Sequence, residues 1–263
     1  MIDAASASGT EVTEDRFLGG DLMVRQPKHG YRAGLDAVLL AAACPATTGS
    51  GETGLDCGAG AGVAGLALAR RIADLRVTLV ERLPSLAEMA VHNAALNGLA
   101  RRCVVVADDL TRPLSHLTAL EAGVGRFDHV IANPPFHAHE AGTRAPDAMK
   151  DGSHAMPRGA FASWAKFAAG MARNGGSFTI VQKPDALPEI LLALERRFGR
   201  VTILPLHGRE GQPASRIIVQ AIKGSRARLV LLPGKVLHIA GSHAFTPEFD
   251  AILRAGAALS MNA

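Results

Sequence analysis

Asn133, Pro134, Pro135 and Phe136 stand where a run of small and apolar residues stops, in the stretch "VIANPPFH". Val130, Ile131 and Ala132 read as the end of a buried strand, and the two prolines end it abruptly. Such a corner has a specific chemical use. A planar, conjugated amino group is a poor nucleophile because its lone pair is delocalised. Two acceptors on its two N–H bonds orient it and favour a more tetrahedral nitrogen. The side-chain oxygen of Asn133 and the carbonyl of Pro134 are two such acceptors. Proline fixes φ and lacks an N–H, which holds the carbonyl rigid, and Phe136 offers a face on which a flat substrate stacks. Catalysis would be mostly positioning, without a metal or a covalent intermediate. The bland alternative is a strand-terminating loop with a core phenylalanine.

A second group lies upstream. "LDCGAGAGVAG" places Gly58, Gly60 and Gly62 just after Asp56, where the backbone turns tightly and approaches a ligand without a Cβ in the way. The helix that follows offers its first N–H groups to an anion. Gly60-x-Gly62-x-x-Gly65 matches the dinucleotide pattern, which alone is also met in ligand-free turns. Glu81 and Asp108 each fall at the end of a later strand. A carboxylate at the first position accepts from ribose hydroxyls, and one at the second accepts from an adenine amino group. Three signals at successive strand ends imply an adenosine-containing ligand, either a nicotinamide nucleotide or S-adenosylmethionine. Hydride transfer has no use for the Asn-Pro-Pro-Phe corner, so the methyl donor fits better.

The elements that must hold these residues alternate. Strands are expected at Leu55–Cys57, Val77–Val80, Cys103–Ala107, Asp128–Ala132, Ser177–Gln182 and Val201–Leu206, with two more in "SRIIVQAIKG" and "RARLVLLPGKVLHI". Helices are expected at Ala61–Ile72, Pro84–Asn97, Phe161–Ala172 and Leu187–Phe198. Before them, Gly19-Gly20 marks a hairpin turn, and Ala37–Ala43 a helix with Asp36 as its N-cap. The pattern predicts an α/β fold: a doubly wound, Rossmann-like sheet, mostly parallel, with an antiparallel strand near the C-terminus. Residues 1–14 are expected to be a disordered tail, 15–50 a hairpin and helix covering the cofactor site, and 51–263 the catalytic domain. Residues 137–159 lack a period and read as a long loop beside the corner.

The 263 residues suffice for a sizeable core, and no run is long and apolar enough for a membrane span. The N-terminus lacks a signal-peptide pattern, and three well-separated cysteines suggest neither zinc nor disulfides, so a cytoplasmic location is expected. The net charge of +4 permits an anionic partner such as RNA, and one Trp and one Tyr argue against a module that stacks many bases.

"LDCGAGAG", "VERLPSLAEMAVHNAALNGL", "VVVADDL" and "ANPPF" together resemble a class I S-adenosylmethionine-dependent methyltransferase with an amino-group target. "QPKHGYRAGLDAVLLAAA" and "LPLHGREGQPASRIIVQAIKGSRARLVLLP" resemble more particularly the bacterial tRNA (valine) adenine-N6 methyltransferase family. The resemblance implies S-adenosylmethionine as cofactor, a tRNA as RNA substrate, and Arg32 and Asp36 over the cofactor. His137 departs from it: an Asn-Pro-Pro-Phe-His tip is also common in ribosomal RNA guanine-N2 methyltransferases. Glutamine methyltransferases acting on release factors are similar but usually carry Tyr after the prolines.

The expected catalytic set is therefore Asn133, Pro134, Pro135 and Phe136. The expected cofactor-binding set is Arg32, Asp36, Asp56, Gly58, Gly60, Gly62, Glu81, Asp108 and Asn133. His137, His139 and His154 share one loop, and no metal is assigned to them because the chemistry needs none. Arg101-Arg102, Arg196-Arg197-Arg200 and Arg226-x-Arg228 read as solvated surface charge. Lys28, Arg32, Arg144, Lys150, Arg158, Lys183, Arg209 and Arg216 surround the expected mouth of the site, within reach of RNA phosphates.

Overall fold

The computed structural model describes residues 11–30, 32–113, 115, 120, 124–135 and 159–262. Residues 1–10 of the expected 1–14 tail, the loop over 137–158, Phe136 and the loop residues Arg144, Lys150, Arg158, His137, His139 and His154 lie outside them. The end of that tail is not disordered, because Val12, Thr13 and Glu14 pair with Pro27, Gln26 and Arg25 in the first strand.

Two strands, β1 (Val12–Phe17) and β2 (Leu22–Pro27), form an antiparallel hairpin around the Gly19-Gly20 turn. The remaining strands make one sheet: β3 (Thr53–Cys57), β4 (Arg76–Glu81), β5 (Cys103–Ala107), β6 (Phe127–Ala132), β7 (Ala172–Gln182), β8 (Phe198–His207), β9 (Ala214–Lys223), β10 (Val230–Leu231) and β11 (Lys235–Val236). Their order is β10-β8-β9-β7-β6-β3-β4-β5, with β11 also on β8. All neighbours pair parallel except β9, which runs antiparallel between β7 and β8. The chain winds outward from β3 through β4 to β5, then crosses back to β6. The switch point where ligands bind in such sheets is therefore the gap between the ends of β3 and β6.

The helices are α1 (Leu35–Ala43), α2 (Val63–Arg71), α3 (Pro84–Leu96), α4 (Ala160–Met171), α5 (Leu187–Leu194) and α6 (Pro247–Ala255). Central strands buried on both faces need helices on both sides, and two apolar clusters meet the need. One joins α1, α2 and α6 to one face, with Leu39, Leu66 and Phe249 fully buried; the other joins α4 and α5 to the opposite face through Phe161, Phe178 and Ile190. The hairpin is tied to α3 by side-chain amides: Asn93 Oδ1 accepts from Arg25 N at 2.9 Å, and Asn97 Oδ1 from Met23 N at 2.9 Å.

Three local expectations need correction. Asp36 is not the N-cap of α1: Gly34 holds that position, and the Asp36 carboxylate pairs instead with Arg216. The stretch "RARLVLLPGKVLHI" is not one strand but two residue pairs, β10 and β11, because Pro233-Gly234 breaks it. Helix α6 was not expected, although Thr246-Pro247, acidic Glu248 and Asp250 in its first turn, and Gly256 after its end are ordinary helix punctuation.

Candidate active site

The glycine loop is shaped by two close approaches. Gly58, Gly60 and Gly62 take φ of 66°, 58° and 91°, in the left-handed region that glycine enters without a Cβ penalty. This turns the Gly60 N–H onto Glu81 Oε2 at 2.8 Å. Gly65, inside α2, is needed for space: a Cβ there would stand 2.9 Å from Asp56 Oδ2 and 3.1 Å from Leu79 Cγ. The Gly65 N–H instead donates to Asp56 Oδ2 at 2.8 Å. Asp56 is buried beneath the loop, and burial, reinforced by the nearby Glu81 charge and opposed by the Gly65 bond, raises its pKa to about 7.

Glu81 closes β4. Its two oxygens accept from Gly60 N and, at 2.9 Å, from Leu83 N. Each carboxylate oxygen retains a second lone pair for a further donor. Asp108 follows β5; its N–H donates to the Glu81 carbonyl at 3.0 Å, and its Oδ1 accepts from Asp109 N at 2.8 Å and Arg112 Nη1 at 3.2 Å. Register aligns the row. Cys57 pairs with Val80 on one side and Ala132 on the other, and Glu81 pairs with Ala107. Gly58, Glu81 and Asn133 therefore stand one step beyond paired residues, at one level of adjoining strands, with Asp108 one step farther on. A glycine cradle flanked by two strand-end carboxylates suits an adenosine with free hydroxyls, and the geometry fits such a cofactor.

The corner follows β6. Pro134 is buried, Asn133 and Pro135 are half-buried, and the Pro134 carbonyl accepts from Gln182 Nε2 at 3.0 Å. Sequence reasoning missed Gln182, although its setting, a polar residue ending strand β7 before Lys183-Pro184, echoes Asn133 before Pro134. Trp164 was also missed: its ring lies so close that a Cβ on Gly58 would come within 2.5 Å of it.

Arg32 and Asp36 do not reach the glycine loop through hydrogen bonds. Arg32 Nη2 holds Asp15 at 2.7 Å, and Asp36 takes Arg216 Nε at 2.8 Å. Among the basic residues expected at the mouth, Lys183, Arg209 and Arg216 follow the carboxyl end of β7, occupy the β8–β9 turn and begin β9, all on the side of the corner. Arg209 and Arg216 are engaged within the protein, Arg209 Nη1 donating to Ser242 O at 2.8 Å and Arg216 pairing with Asp36; Lys28, after the hairpin, pairs with Glu11 at 2.8 Å. Among the described residues no cluster of His, Cys, Asp or Glu could hold a metal, and no helix is long and apolar enough to cross a membrane.

The class this fold and strand-end site define is the Rossmann-like, S-adenosylmethionine-dependent methyltransferase. Residues 34–208 match the methyltransferase small domain, and the chain belongs to that family. A Porphyromonas gingivalis tRNA1(Val) (adenine(37)-N6)-methyltransferase is 37% identical over 123 residues, 45% of this chain and 46% of that protein. The ribosomal RNA small subunit methyltransferase C of Aeromonas hydrophila is 36% identical over 104 residues, 40% of this chain and 26% of that protein. The matches span less than half the length of these curated relatives. A crystal structure of a predicted O-methyltransferase from Agrobacterium tumefaciens superposes with a TM-score of 0.72 at 34% identity, covering 85% of this chain and 98% of that one.

Proposed function

We propose that this chain transfers a methyl group from S-adenosylmethionine to an exocyclic amino group of an RNA base, adenine N6 of a tRNA. The observation that carries the reading is the Asn133-Pro134 corner beside the glycine loop at the switch point. Glu81 holds the ribose hydroxyls and Asp108 the adenine amino group, while Gly58 and Gly60 leave room for the backbone to lie close. When bound, the cofactor supplies an electrophilic sulfonium methyl. Asn133 Oδ1 and the Pro134 carbonyl accept the two N–H bonds of the target, leaving its lone pair free to point away from both. Pro135 stiffens the turn and Phe136 stacks on the base. A hydroxyl target has one proton to offer two acceptors, so an amino group uses this corner more fully. Residues 15–50 act as the cover of the cofactor site.

The relative from Porphyromonas gingivalis supports tRNA as the partner. A second reading, guanine N2 of ribosomal RNA, is supported by the Aeromonas hydrophila relative and by His137 after the tip. The deciding assay is transfer of labelled methyl to total tRNA, total ribosomal RNA and protein, each followed by nucleoside or amino-acid analysis. N6-methyladenosine in tRNA is expected. N2-methylguanosine in ribosomal RNA would move the assignment to the second reading, and label in glutamine alone would remove RNA from it.

A further inference from the structure

We infer that Gln182, a residue outside the expected site, is the positioning residue that aims the Pro134 carbonyl at the substrate. The inference rests on the corner acting as the acceptor pair for the target amino group. Gln182 ends β7, the strand parallel to β6, and the register that pairs Ala132 with Ile180 brings it level with Pro134. The residue is 1% exposed. The amide is held at both ends: the Lys183 N–H donates to Oε1 at 2.9 Å, and Nε2 donates to the Pro134 carbonyl at 3.0 Å. The backbone N–H at one end leaves only one orientation of the amide, so Nε2 must face the carbonyl.

Pro134 lies past the last strand pairing recorded for β6, and its successor, Pro135, has no N–H. The ladder therefore does not by itself set the direction of the Pro134 carbonyl. A carbonyl oxygen has two lone-pair directions. Gln182 occupies one from the β7 side, which fixes the peptide plane and leaves the other for a substrate N–H. The bond also polarises the carbonyl only slightly, so its effect is on aim more than on acceptor strength. Asn133 and Pro134 then form a pair in which a neighbouring strand sets the second member.

The test is single-turnover methyl transfer to bulk tRNA from cells deleted for this gene, for the wild type, Gln182→Leu, Gln182→Glu and Asn133→Ala, with S-adenosylhomocysteine binding measured calorimetrically alongside. Gln182→Leu should slow the methyl-transfer step about tenfold or more while changing cofactor affinity less than twofold. Gln182→Glu carries the distinguishing signature. Protonated, the introduced carboxyl donates to the Pro134 carbonyl and still accepts from Lys183 N–H; ionised, it only accepts. Burial raises its pKa, so the variant should approach the wild-type rate at the acid end of the range. Above that pKa the rate should fall about tenfold per pH unit, a limb absent from the wild type. Ionising a buried carboxyl also destabilises the fold, so the folded signal is followed by circular dichroism over the same range: a rate limb at unchanged folded signal supports positioning, and a limb that only tracks unfolding overturns it. Rates within twofold of wild type for Gln182→Leu, together with a Gln182→Glu profile parallel to wild type, would overturn the inference while a collapsed Asn133→Ala left the corner's role intact. Near-normal transfer by Asn133→Ala would overturn both.

Discussion

Asn133 and Glu81 occupy adjoining strand ends but should fail in different ways when changed. On the proposed mechanism, Asn133→Ala removes an acceptor that matters most as the target nitrogen becomes tetrahedral. Single-turnover methyl transfer should fall roughly 100-fold or more, with cofactor binding nearly unchanged. Glu81→Ala should instead weaken S-adenosylmethionine binding by about 1–3 kcal/mol, read by calorimetry, because buried hydroxyls lose their acceptor. The same change strips the acceptor from Gly60 N and Leu83 N, so its melting temperature should drop as well. Equal affinity in the two proteins would exclude Glu81 from the cofactor site. The carboxylates and the corner were legible in the sequence because each ends a strand whose alternation is visible locally. Gln182 was not, since its partner lies 48 residues away; neither was the Asp36–Arg216 pair, whose members are 180 residues apart. Asp36 stands where an N-cap is commonly found, and only the arrival of β9 gives its carboxylate another partner.

At the scale of elements, the β3–loop–α2 unit holds a proton on a buried carboxyl beneath the cofactor cradle. The Asp56 carboxyl titrates near 3.8 in an unfolded chain and at about 7 in the fold. Its contribution to stability is therefore fully present below about pH 4 and is lost as pH rises toward and through 7, because the folded state binds the extra proton. Asp56→Asn keeps an acceptor for Gly65 N–H without the titration. Relative to wild type, the Asp56→Asn protein should gain stability steadily in urea melts between about pH 4 and 8. A constant difference across that range would mean that Asp56 stays ionised. On the opposite, amino-terminal side of the sheet, burial holds the His129 pKa below the usual histidine value, against the pull of Glu52 at 3.2 Å. This base has the opposite sign: its contribution is lost as pH falls below about 6.5. Wild-type stability alone sums both slopes, which is why the comparison is made with the variant.

At the scale of the molecule, the carboxyl side of the sheet, on which the corner lies, also carries Lys183, Arg209 and Arg216. The Arg216–Asp36 pair does not prevent a second use, since a partly exposed ion pair adds little stability and can yield to phosphate. If RNA is the substrate, affinity measured by filter binding should fall steeply with salt, and Lys183→Ala or Arg209→Ala should each lower the logarithmic salt slope by about one. An unchanged slope in both would move the phosphate contacts elsewhere. The path of the chain through the sheet also sets an order of events. Strands β3, β4 and β5 adjoin one another and need only nearby residues, so the cradle half can assemble early. The half that carries the corner and Gln182 closes later: β7 remains an open edge until β9, which starts 32 residues after Gln182, inserts between it and β8. Pairings across such distances form slowly, and open edges invite aggregation. A nascent chain therefore exposes the glycine loop and its strand-end carboxylates before Gln182's strand is paired on both sides, and β9 must slot in, ahead of the short β10 and β11, to close that edge.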